Sequence, residues 1–143
     1  MSLYPDTSFL VSLYTLDANS AAAARKMRHA PASLILSDLA ELELANALEQ
    51  RVFRKELELM QIQAGHKAFR DDLEQGVFQR RQVETGAVYE RALRLSRKWT
   101  AKLGTRTLDV LHIAIALEAG AEGILTFDLH QLKLARSIGL KAL

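Results

Sequence analysis

Four acidic side chains occupy positions where carboxylates could do chemistry: Asp6, Glu43, Asp109 and Asp128. Asp6 and Asp128 each directly follow a short apolar run, and Asp109 lies in the first turn of a predicted apolar helix. Two unit charges ~4 Å apart repel by about 4 kcal/mol at an effective dielectric constant near 20. If these carboxylates meet in the folded chain, either some of them are protonated or a cation lies among them.

The ligand chemistry of such a cluster favours a hard divalent ion. The sequence has no cysteine, and carboxylate oxygens without sulfur suit Mg²⁺ or Mn²⁺. One or two such ions can activate water and stabilise the leaving oxygen when a phosphodiester is cleaved. The sequence contains neither a GxSxG nucleophile elbow nor a glycine-rich phosphate loop. Metal-assisted hydrolysis is therefore the chemistry that these residues indicate.

The elements that would position the acids alternate along the chain. Short apolar runs predict strands over 3–5, 33–36 and 124–127, and VFQRRQV at 77–83 and GLKA at 139–142 are candidates for a third and a fifth strand. Periodic apolar positions predict helices over 9–14, 18–28, 37–53, 55–75, 85–103, 108–119 and 130–137. Short apolar strands that alternate with helices predict an α/β fold, in which a short parallel sheet is covered by helices on both faces.

This topology brings three of the acids together. Sites in open parallel sheets lie beyond the carboxyl ends of the strands. Asp6 follows the first strand, Asp128 follows the fourth, and Glu43 lies in the second turn of the helix that leaves the second strand. Asp109 starts the helix that leads into the fourth strand, so it reaches the same edge only if the preceding connection brings it there.

Several of these positions also have plain structural explanations. Asp6 is well placed to be the N-cap of the first helix, and Asp38 with Glu41 has the spacing of a capping box. Glu43 has no such structural role, and the alternative to a role in the site is an ordinary position on the surface. His112 lies in an apolar helix and is expected to be a core histidine with a satisfied N–H rather than a catalytic group.

Positive charge is concentrated in the second half of the chain. The net charge is only +2, but residues 1–72 hold 8 Lys/Arg against 10 Asp/Glu, whereas residues 73–143 hold 11 against 7. The helix predicted here places four basic side chains on one face: Arg91, Arg94, Lys98 and Lys102. Trp99 is expected on the opposite, buried face. A solvated surface is one explanation of the basic face, and a contact surface for a phosphate backbone is the other.

The bulk composition is that of an ordinary globular protein. The chain has 143 residues, 49% hydrophobic and 25% charged, which predicts a single domain over residues 1–143 with a substantial core. No apolar run is long enough to span a bilayer, and the first residues lack a signal-peptide pattern. The absence of cysteine excludes disulfides and thiolate metal sites, and it suits a cytoplasmic protein.

Four segments in order carry a resemblance to a known family. They are YPDTSFLVSLY with Asp6, SDLAELELANAL with Glu43, RTLDVLHIAIALEAGAEGILTFD with Asp109 and Asp128, and LARSIGLKAL at the end. Together they resemble the PIN domain, and more narrowly the VapC-like toxin ribonucleases of type II toxin–antitoxin modules. The resemblance covers essentially the whole chain. Its most specific part is the ordered set R-x-x-D-x-x-H-x-A followed by T-F-D.

The resemblance implies a three-layer α/β/α PIN-like fold, a homodimer, and Mg²⁺- or Mn²⁺-dependent endoribonuclease activity that a cognate antitoxin holds in check. It implies that Asp6, Glu43, Asp109 and Asp128 form the acidic quartet of the family, with Asp6 and Asp109 foremost as direct metal ligands. Glu43 is preferred to Glu41 because the segment LANAL after it matches the family pattern.

Polar and basic neighbours complete the implied site. Thr7, Ser8 and Thr126 are expected to orient the acids or a bound water, although Thr7 and Ser8 could serve only the helix start. The basic residues expected to contact RNA are Arg94, Lys98, Lys102 and Arg106. For Arg106, a contact with substrate phosphate and a pair with a site carboxylate are both open.

Other functions fit parts of the same pattern. A PIN-like nuclease could act in RNA maturation or cleave DNA, and a non-catalytic module could bind RNA or protein, although the presence of all four acids argues against the latter. Receiver and haloacid-dehalogenase-like domains also place an Asp after the first strand. The dehalogenase pattern requires a second Asp where this chain has Ser8, and a receiver requires an Asp at the end of the third strand, which VFQRRQV lacks.

Overall fold

Helices and short strands alternate along the chain in the order that the sequence predicts. The computed structural model describes residues 1–31 and 33–143. The strands are β1 (Leu3–Pro5), β2 (Leu34–Leu36), β3 (Phe78–Arg80), β4 (Gly123–Leu125) and β5 (Lys141–Ala142). The helices are α1 (Thr7–Tyr14), α2 (Ser20–Arg28), α3 (Asp38–Phe53), α4 (Leu59–Glu74), α5 (Thr85–Leu95), α6 (Ala101–Leu103), α7 (Thr107–Glu118) and α8 (Leu129–Ser137). A π-helical turn, Ser96–Thr100, joins α5 to α6.

Parallel strands form the centre of the fold. β4 pairs with β1 on one side and with β5 on the other, and β2 pairs with β3; each of these pairs is parallel. β1 and β2 lie side by side, although no strand ladder joins them among the described residues. The register sets Pro5 opposite Leu125, and the amide of Asp6 donates to the carbonyl of Leu125 at 3.0 Å. The carboxyl ends of β1 and β4 therefore lie next to each other.

Strand side chains alternate between two apolar cores, one on each face of the sheet, because successive residues of a strand point in opposite directions. The core shared with α1, α2, α3 and α4 includes Leu3, Leu34, Leu36 and Leu125. The core shared with α5, α7 and α8 includes Tyr4, Ile35 and Ile124. Both faces of the sheet are thus covered by helices, which confirms the predicted three-layer α/β/α architecture.

The start of α3 is capped by a different residue from the one predicted. The Ser37 hydroxyl accepts the amide N–H of Ala40 at 3.0 Å, and Asp38 is the first helical residue. The prediction of an Asp38–Glu41 capping box is therefore wrong. Glu41 instead accepts two hydrogen bonds from the guanidinium of Arg80, at 2.6 and 2.9 Å. Serine and aspartate are about equally good caps, so the sequence could not show which of two adjacent residues keeps an extended backbone.

Several predicted elements are longer than those observed, and β3 and α4 differ by the most residues. β3 covers three of the seven residues predicted over 77–83. α4 begins at Leu59 rather than at residue 55, because Lys55 has a left-handed backbone with a φ of 60°. Within the described ranges, no helix is long and apolar enough to cross a membrane.

The helix predicted over 85–103 is not a uniform α-helix. Its π-helical turn contains Trp99, which is half-buried rather than part of the core. The ammonium groups of Lys98 and Lys102 lie 5.4 and 5.7 Å from the centre of the Trp99 ring. A π turn changes the number of residues per turn. A pattern that assumes α-helical spacing therefore predicts more burial of Trp99 than the structure shows.

Candidate active site

All four predicted acids line one open cavity at the carboxyl edge of the sheet. The cavity, about 380 Å³ in volume, is lined by Asp6, Thr7, Ser8, Glu43, Arg106, Thr107, Leu108, Asp109, His112, Asp128 and Gln131. Gly104, with a φ of 67°, ends α6, and α7 then starts at the cavity. This connection brings Asp109 to the edge that topology predicted for the other three acids.

Asp6 is fully buried, and hydrogen bonds hold both of its carboxylate oxygens. Oδ1 accepts from the Ser8 hydroxyl at 2.7 Å and from the backbone N–H of Phe9 at 2.9 Å, which is the predicted helix cap. Oδ2 accepts from the Thr126 hydroxyl at 2.5 Å. Burial raises the pKa of the Asp6 carboxyl, and these hydrogen bonds only partly oppose the effect. A neutral carboxyl, or a carboxylate beside a cation, is therefore the favourable state of Asp6.

Glu43 is half-buried in the second turn of α3, and two side chains hold it. The Thr7 hydroxyl donates to Oε1 at 2.8 Å, and Nε2 of His112 contacts the same oxygen. Burial opposes ionisation of Glu43, but the hydrogen bond from His112, the electrostatic attraction of His112 and the hydrogen bond from Thr7 together outweigh it and lower the pKa of this carboxyl. Glu43 therefore faces the cavity as a carboxylate instead of occupying an ordinary surface position.

A chain of hydrogen bonds connects Glu43 to the start of α3. The Ser37 hydroxyl accepts the backbone N–H of Ala40. It can also donate its own hydrogen to the Tyr4 oxygen, which lies 2.8 Å away. The Tyr4 hydroxyl is also hydrogen-bonded to Nδ1 of His112 at 2.6 Å, and Nε2 on the other side of the imidazole ring faces Glu43. Burial raises the pKa of Tyr4, so its hydroxyl remains a donor.

Substitution of the central tyrosine tests this network. Tyr4→Phe is expected to lower the free energy of unfolding by about 1–3 kcal/mol, because the buried Ser37 hydroxyl and Nδ1 of His112 lose their partner. Urea denaturation followed by circular dichroism measures the change. Tyr89→Phe is the matched control, since Tyr89 is exposed and its variant should stay within about 0.5 kcal/mol of wild type. Equal stability of Tyr4→Phe and wild type would rule the network out.

Arg106 bridges Asp109 and Asp128. Oδ2 of Asp109 accepts the backbone N–H of Arg106 at 2.9 Å and its Nε–H at 3.1 Å. Nη2 of Arg106 lies 3.3 Å from Oδ1 of Asp109 and 2.8 Å from Oδ2 of Asp128. Hydrogen bonding to Asp109 and the charges of both acids raise the pKa of Arg106. Of the two contacts left open for Arg106, the observed one is the carboxylate pair.

Asp128 also caps α8. Its Oδ1 accepts the backbone N–H groups of His130 and Gln131 at 2.8 and 3.2 Å. The hydroxyl of Thr126 accepts the backbone N–H of Asp128 at 2.9 Å while it donates to Asp6. Thr126 therefore ties together the two acids that follow β1 and β4, and this contact fits the orienting role expected of it.

The donor set suits a hard divalent cation, although the acids do not form a closed three-ligand site. All four offer carboxylate oxygens, the ligands that Mg²⁺ and Mn²⁺ prefer. Across residues 1–31 and 33–143, no three His, Cys, Asp or Glu side chains are grouped closely enough to hold a metal ion. The guanidinium of Arg106 lies between Asp109 and Asp128 and supplies one positive charge where a metal ion would supply two. Release of Arg106 is the change that would free those oxygens for a metal.

The other basic residues predicted to contact RNA do not line this cavity. Arg94, Lys98 and Lys102 are exposed along α5, the π-helical turn and α6. Arg94 pairs with Glu90 at 2.9 Å, and both lysines lie beside Trp99. Their role in RNA binding stays a prediction, and it concerns a surface outside the acidic cavity.

Sequence reasoning gave no role in the site to two polar residues that line it. His112 is buried, as expected of a core histidine, yet its Nε2 contacts Glu43. Gln131 is buried too, and its amide oxygen has no hydrogen-bond partner within the described part of the chain. His112 and Gln131 each lie three residues after a predicted acid, Asp109 and Asp128. Residues at this spacing share a helix face, and that signal could have found them.

The chain is similar to known proteins in both sequence pattern and fold. A family model of the PIN domain matches residues 3–137. Among solved structures, the chain is similar to the crystal structure of VapC20 of Mycobacterium tuberculosis, described as a sarcin–ricin loop cleaving toxin. The TM-score is 0.67 and the identity 20%, over 88% of this chain and 89% of that chain. No curated protein matches the sequence. Because the family match spans nearly all of the elements described above, the chain belongs to the PIN domain family.

Proposed function

We propose that this protein is a metal-dependent endoribonuclease that hydrolyses RNA phosphodiesters, and that it is the toxin of a type II toxin–antitoxin module. The observation that carries the proposal is the convergence of Asp6, Glu43, Asp109 and Asp128 in one cavity of a PIN domain. The similarity to VapC20, a toxin described as cleaving the sarcin–ricin loop, supports RNA as the substrate.

The four acids would hold the metal. Asp6 and Asp109, assisted by Asp128 and Glu43, would bind Mg²⁺ or Mn²⁺, which supplies an activated water and a Lewis acid for the phosphate oxygens. Hydrolysis forms a bond between the oxygen of water and phosphorus and breaks the P–O bond to the leaving strand. The oxygen of the leaving strand takes up a proton from the water. The carboxylates counter the charge of the cation, so the cavity does not remain a cluster of unpaired negative charges.

Hydrogen bonds hold two of these acids in fixed orientations. Ser8 and Thr126 bind the two oxygens of Asp6, and His112 contacts Glu43. These donors are in place before any substrate arrives, so the acids need little rearrangement to bind a cation. Groups that orient metal ligands in this way typically account for a 10–100-fold effect on metal affinity or activity.

Arg106 is expected to change partners when RNA binds. Its side chain is 65% exposed at the cavity mouth, so it can move without disturbing the core. If a divalent ion takes the oxygens of Asp109 and Asp128, the guanidinium is free to make a bidentate contact with an RNA phosphate. The carboxylate pair and the phosphate contact are then two states of the same side chain.

Removal of this arginine should strengthen metal binding. Arg106→Gln is expected to increase Mn²⁺ affinity up to about fivefold, because an exposed ion pair is worth about 1 kcal/mol or less. Isothermal titration of Mn²⁺ into each protein at one salt concentration measures the affinity. Arg70→Gln, at an exposed arginine of α4 that does not line the cavity, is the matched control. An affinity of Arg106→Gln equal to or below that of wild type would contradict the competition between Arg106 and the metal.

Cleavage of a mixed RNA pool tests the proposed activity. Purified protein is incubated with the pool in Mn²⁺, in Mg²⁺ and in EDTA, with Asp6→Asn as the control and single-stranded DNA of the same sequences in parallel. We expect cleavage of RNA that requires the metal and is lost in the variant. Cleavage in EDTA, or equal rates for wild type and Asp6→Asn, would contradict the proposal. Preferential cutting of DNA would favour the alternative of a DNA nuclease.

A non-catalytic binding module is the second candidate function. It is favoured by one observation, the lack of three closely grouped metal-binding side chains within the described ranges. The Mn²⁺ titration separates the two candidates, because a catalytic site must bind the ion whereas a binding module need not. Saturable Mn²⁺ binding that is lost in Asp6→Asn supports the nuclease.

The proposed partners are a cognate antitoxin and a second copy of the chain, both in the cytoplasm. The antitoxin would cover the acidic cavity and keep it from RNA. Induced expression of wild type should arrest cell growth, and expression of Asp6→Asn should not. Co-expression of a small protein encoded by an adjacent reading frame should restore growth, and that small protein should co-purify with the toxin. Light scattering of the purified protein measures whether it is a homodimer.

A further inference from the structure

A second cavity adjoins the acidic one. It has a volume of about 320 Å³ and lies between α5 with its π-helical turn on one side and α7 on the other. We call it the α5–α7 groove. Arg106 and Thr107 line both the groove and the acidic cavity. A strand whose phosphate lies at the four acids therefore has the groove beside it.

The walls of the groove combine apolar surface with hydroxyl groups. Tyr89 and Leu93 of α5 are 57% and 53% exposed, so an aromatic ring and an aliphatic side chain stand open to a ligand. The hydroxyls of Thr100 and Thr105 lie 2.7 Å apart on the same lining. Most ligand pockets are apolar with a few polar groups, and this one has both an aromatic face and polar groups for a flat ligand.

The charge of the groove suits a nucleic acid. Among its described lining residues there is no aspartate or glutamate, and the ionised group is Arg106. The acidic cavity next to it repels phosphate unless a cation is bound, whereas the groove presents no such barrier. Unpaired bases of RNA are typically splayed out, stacked on aromatic side chains and hydrogen-bonded along their edges. The groove offers each of these contacts.

We propose that the α5–α7 groove binds one unpaired nucleobase of the RNA strand, next to the phosphate that is cut. Tyr89 stacks on the base, Leu93 packs against it, and the threonine hydroxyls meet its polar edge. The inference rests on the proposed ribonuclease function and extends it, because it makes the groove a subsite that requires single-stranded RNA.

The test compares RNA binding by variants of the groove. The cut position in the mixed RNA pool is mapped first, and a fluorescein-labelled single-stranded 12-mer is built around it. Its affinity is measured by anisotropy with Ca²⁺ in place of Mn²⁺, since Ca²⁺ also binds carboxylate oxygens, after a gel has confirmed that the strand stays intact. A second 12-mer lacks the base next to the cut phosphate. Tyr89→Phe keeps the aromatic ring, and Phe53→Ala removes a ring that is 88% exposed on α3, away from the groove.

Tyr89→Ala is expected to weaken binding of the intact 12-mer about 5- to 150-fold, the range for loss of one base–aromatic stack. Tyr89→Phe and Phe53→Ala should bind within about twofold of wild type. The abasic 12-mer should bind wild type and Tyr89→Ala equally, because the stacking partner is missing in both. Thermal melting of each variant checks that the substitution at this exposed position leaves the fold intact.

Two results would overturn the inference while leaving the nuclease in place. The first is that Tyr89→Ala binds the intact 12-mer as tightly as wild type does. In that case the groove does not bind a base, and an apolar side chain of a protein partner becomes the alternative ligand. The other is an equal loss of affinity for the intact and the abasic strands. If wild type neither cuts nor binds any RNA, the proposed function fails and the inference fails with it, so the two failures are distinguishable.

Discussion

Asp6→Asn is expected to abolish RNA cleavage and to leave the fold intact. Loss of a group that merely orients a metal ligand typically costs 10–100-fold in metal affinity or activity, so loss of Asp6, proposed as a direct ligand, should cost at least about 100-fold. Asparagine can keep the bonds from the Ser8 hydroxyl and the Phe9 amide through its oxygen, and the Thr126 hydroxyl can turn to accept from its amide. Initial cleavage rates in Mn²⁺ measure the loss.

The stability of the same variant provides an independent readout. Burial raises the pKa of the Asp6 carboxyl, so the folded state binds the proton more tightly than the unfolded state. Folding stability that is present below the usual pKa of aspartate is therefore lost as the pH rises toward the raised value. Asparagine carries no charge, so Asp6→Asn should melt above wild type near neutral pH in EDTA.

This stability difference must depend on pH. It should shrink as the pH falls through the ordinary aspartate range, because below that range Asp6 is protonated in both the folded and the unfolded state. Asn46→Ala, at an exposed position of α3 that does not line the cavity, is the control for a neutral surface change. A lower melting temperature of Asp6→Asn at neutral pH would show that the ionised carboxylate stabilises the fold, contrary to the effect of burial.

Asp109→Asn is expected to lower cleavage by the same factor of at least about 100, because it would remove the second of the two acids proposed as direct metal ligands. Its effect on stability should differ. Asparagine can still accept the backbone N–H of Arg106, which bonds Asp109 at 2.9 Å, so the start of α7 is preserved. The ion pair that it breaks involves a side chain that is 65% exposed, and such pairs are worth about 1 kcal/mol or less.

Stability and cleavage of Asp109→Asn are measured as for the first variant. We expect a melting temperature equal to that of wild type or slightly below it, in contrast to the increase for Asp6→Asn. The double variant should cleave no more slowly than either single one, because residues that act as a unit are not additive. An Asp109→Asn protein that binds Mn²⁺ and cleaves RNA like wild type would remove Asp109 from the set of metal ligands.

The layers of this protein could be predicted from the sequence alone. Short apolar runs such as LYP, LIL and ILTF indicate strands buried on both faces, and amphipathic segments between them indicate the covering helices. Asp6 and Asp128 follow parallel strands, so topology places both at one edge of the sheet. Glu43 reaches the same edge because α3 leaves the carboxyl end of β2, and β2 lies beside β1. These predictions depend only on local pattern and on the direction of strands.

Only the tertiary structure decided which partners the acids have. Arg106 reaches Asp128 across 22 residues of sequence, and His112 reaches Glu43 across 69. Separations of this size leave no periodic signal, since they depend on how α3, α7 and β4 pack. A hydrogen bond also requires its atoms to be within about 3.2 Å and well aligned, which is finer than any element boundary that a sequence predicts. The sequence therefore determined that Asp6, Glu43 and Asp128 reach one edge of the sheet, whereas the tertiary structure decided that Asp109 joins them and what each acid touches.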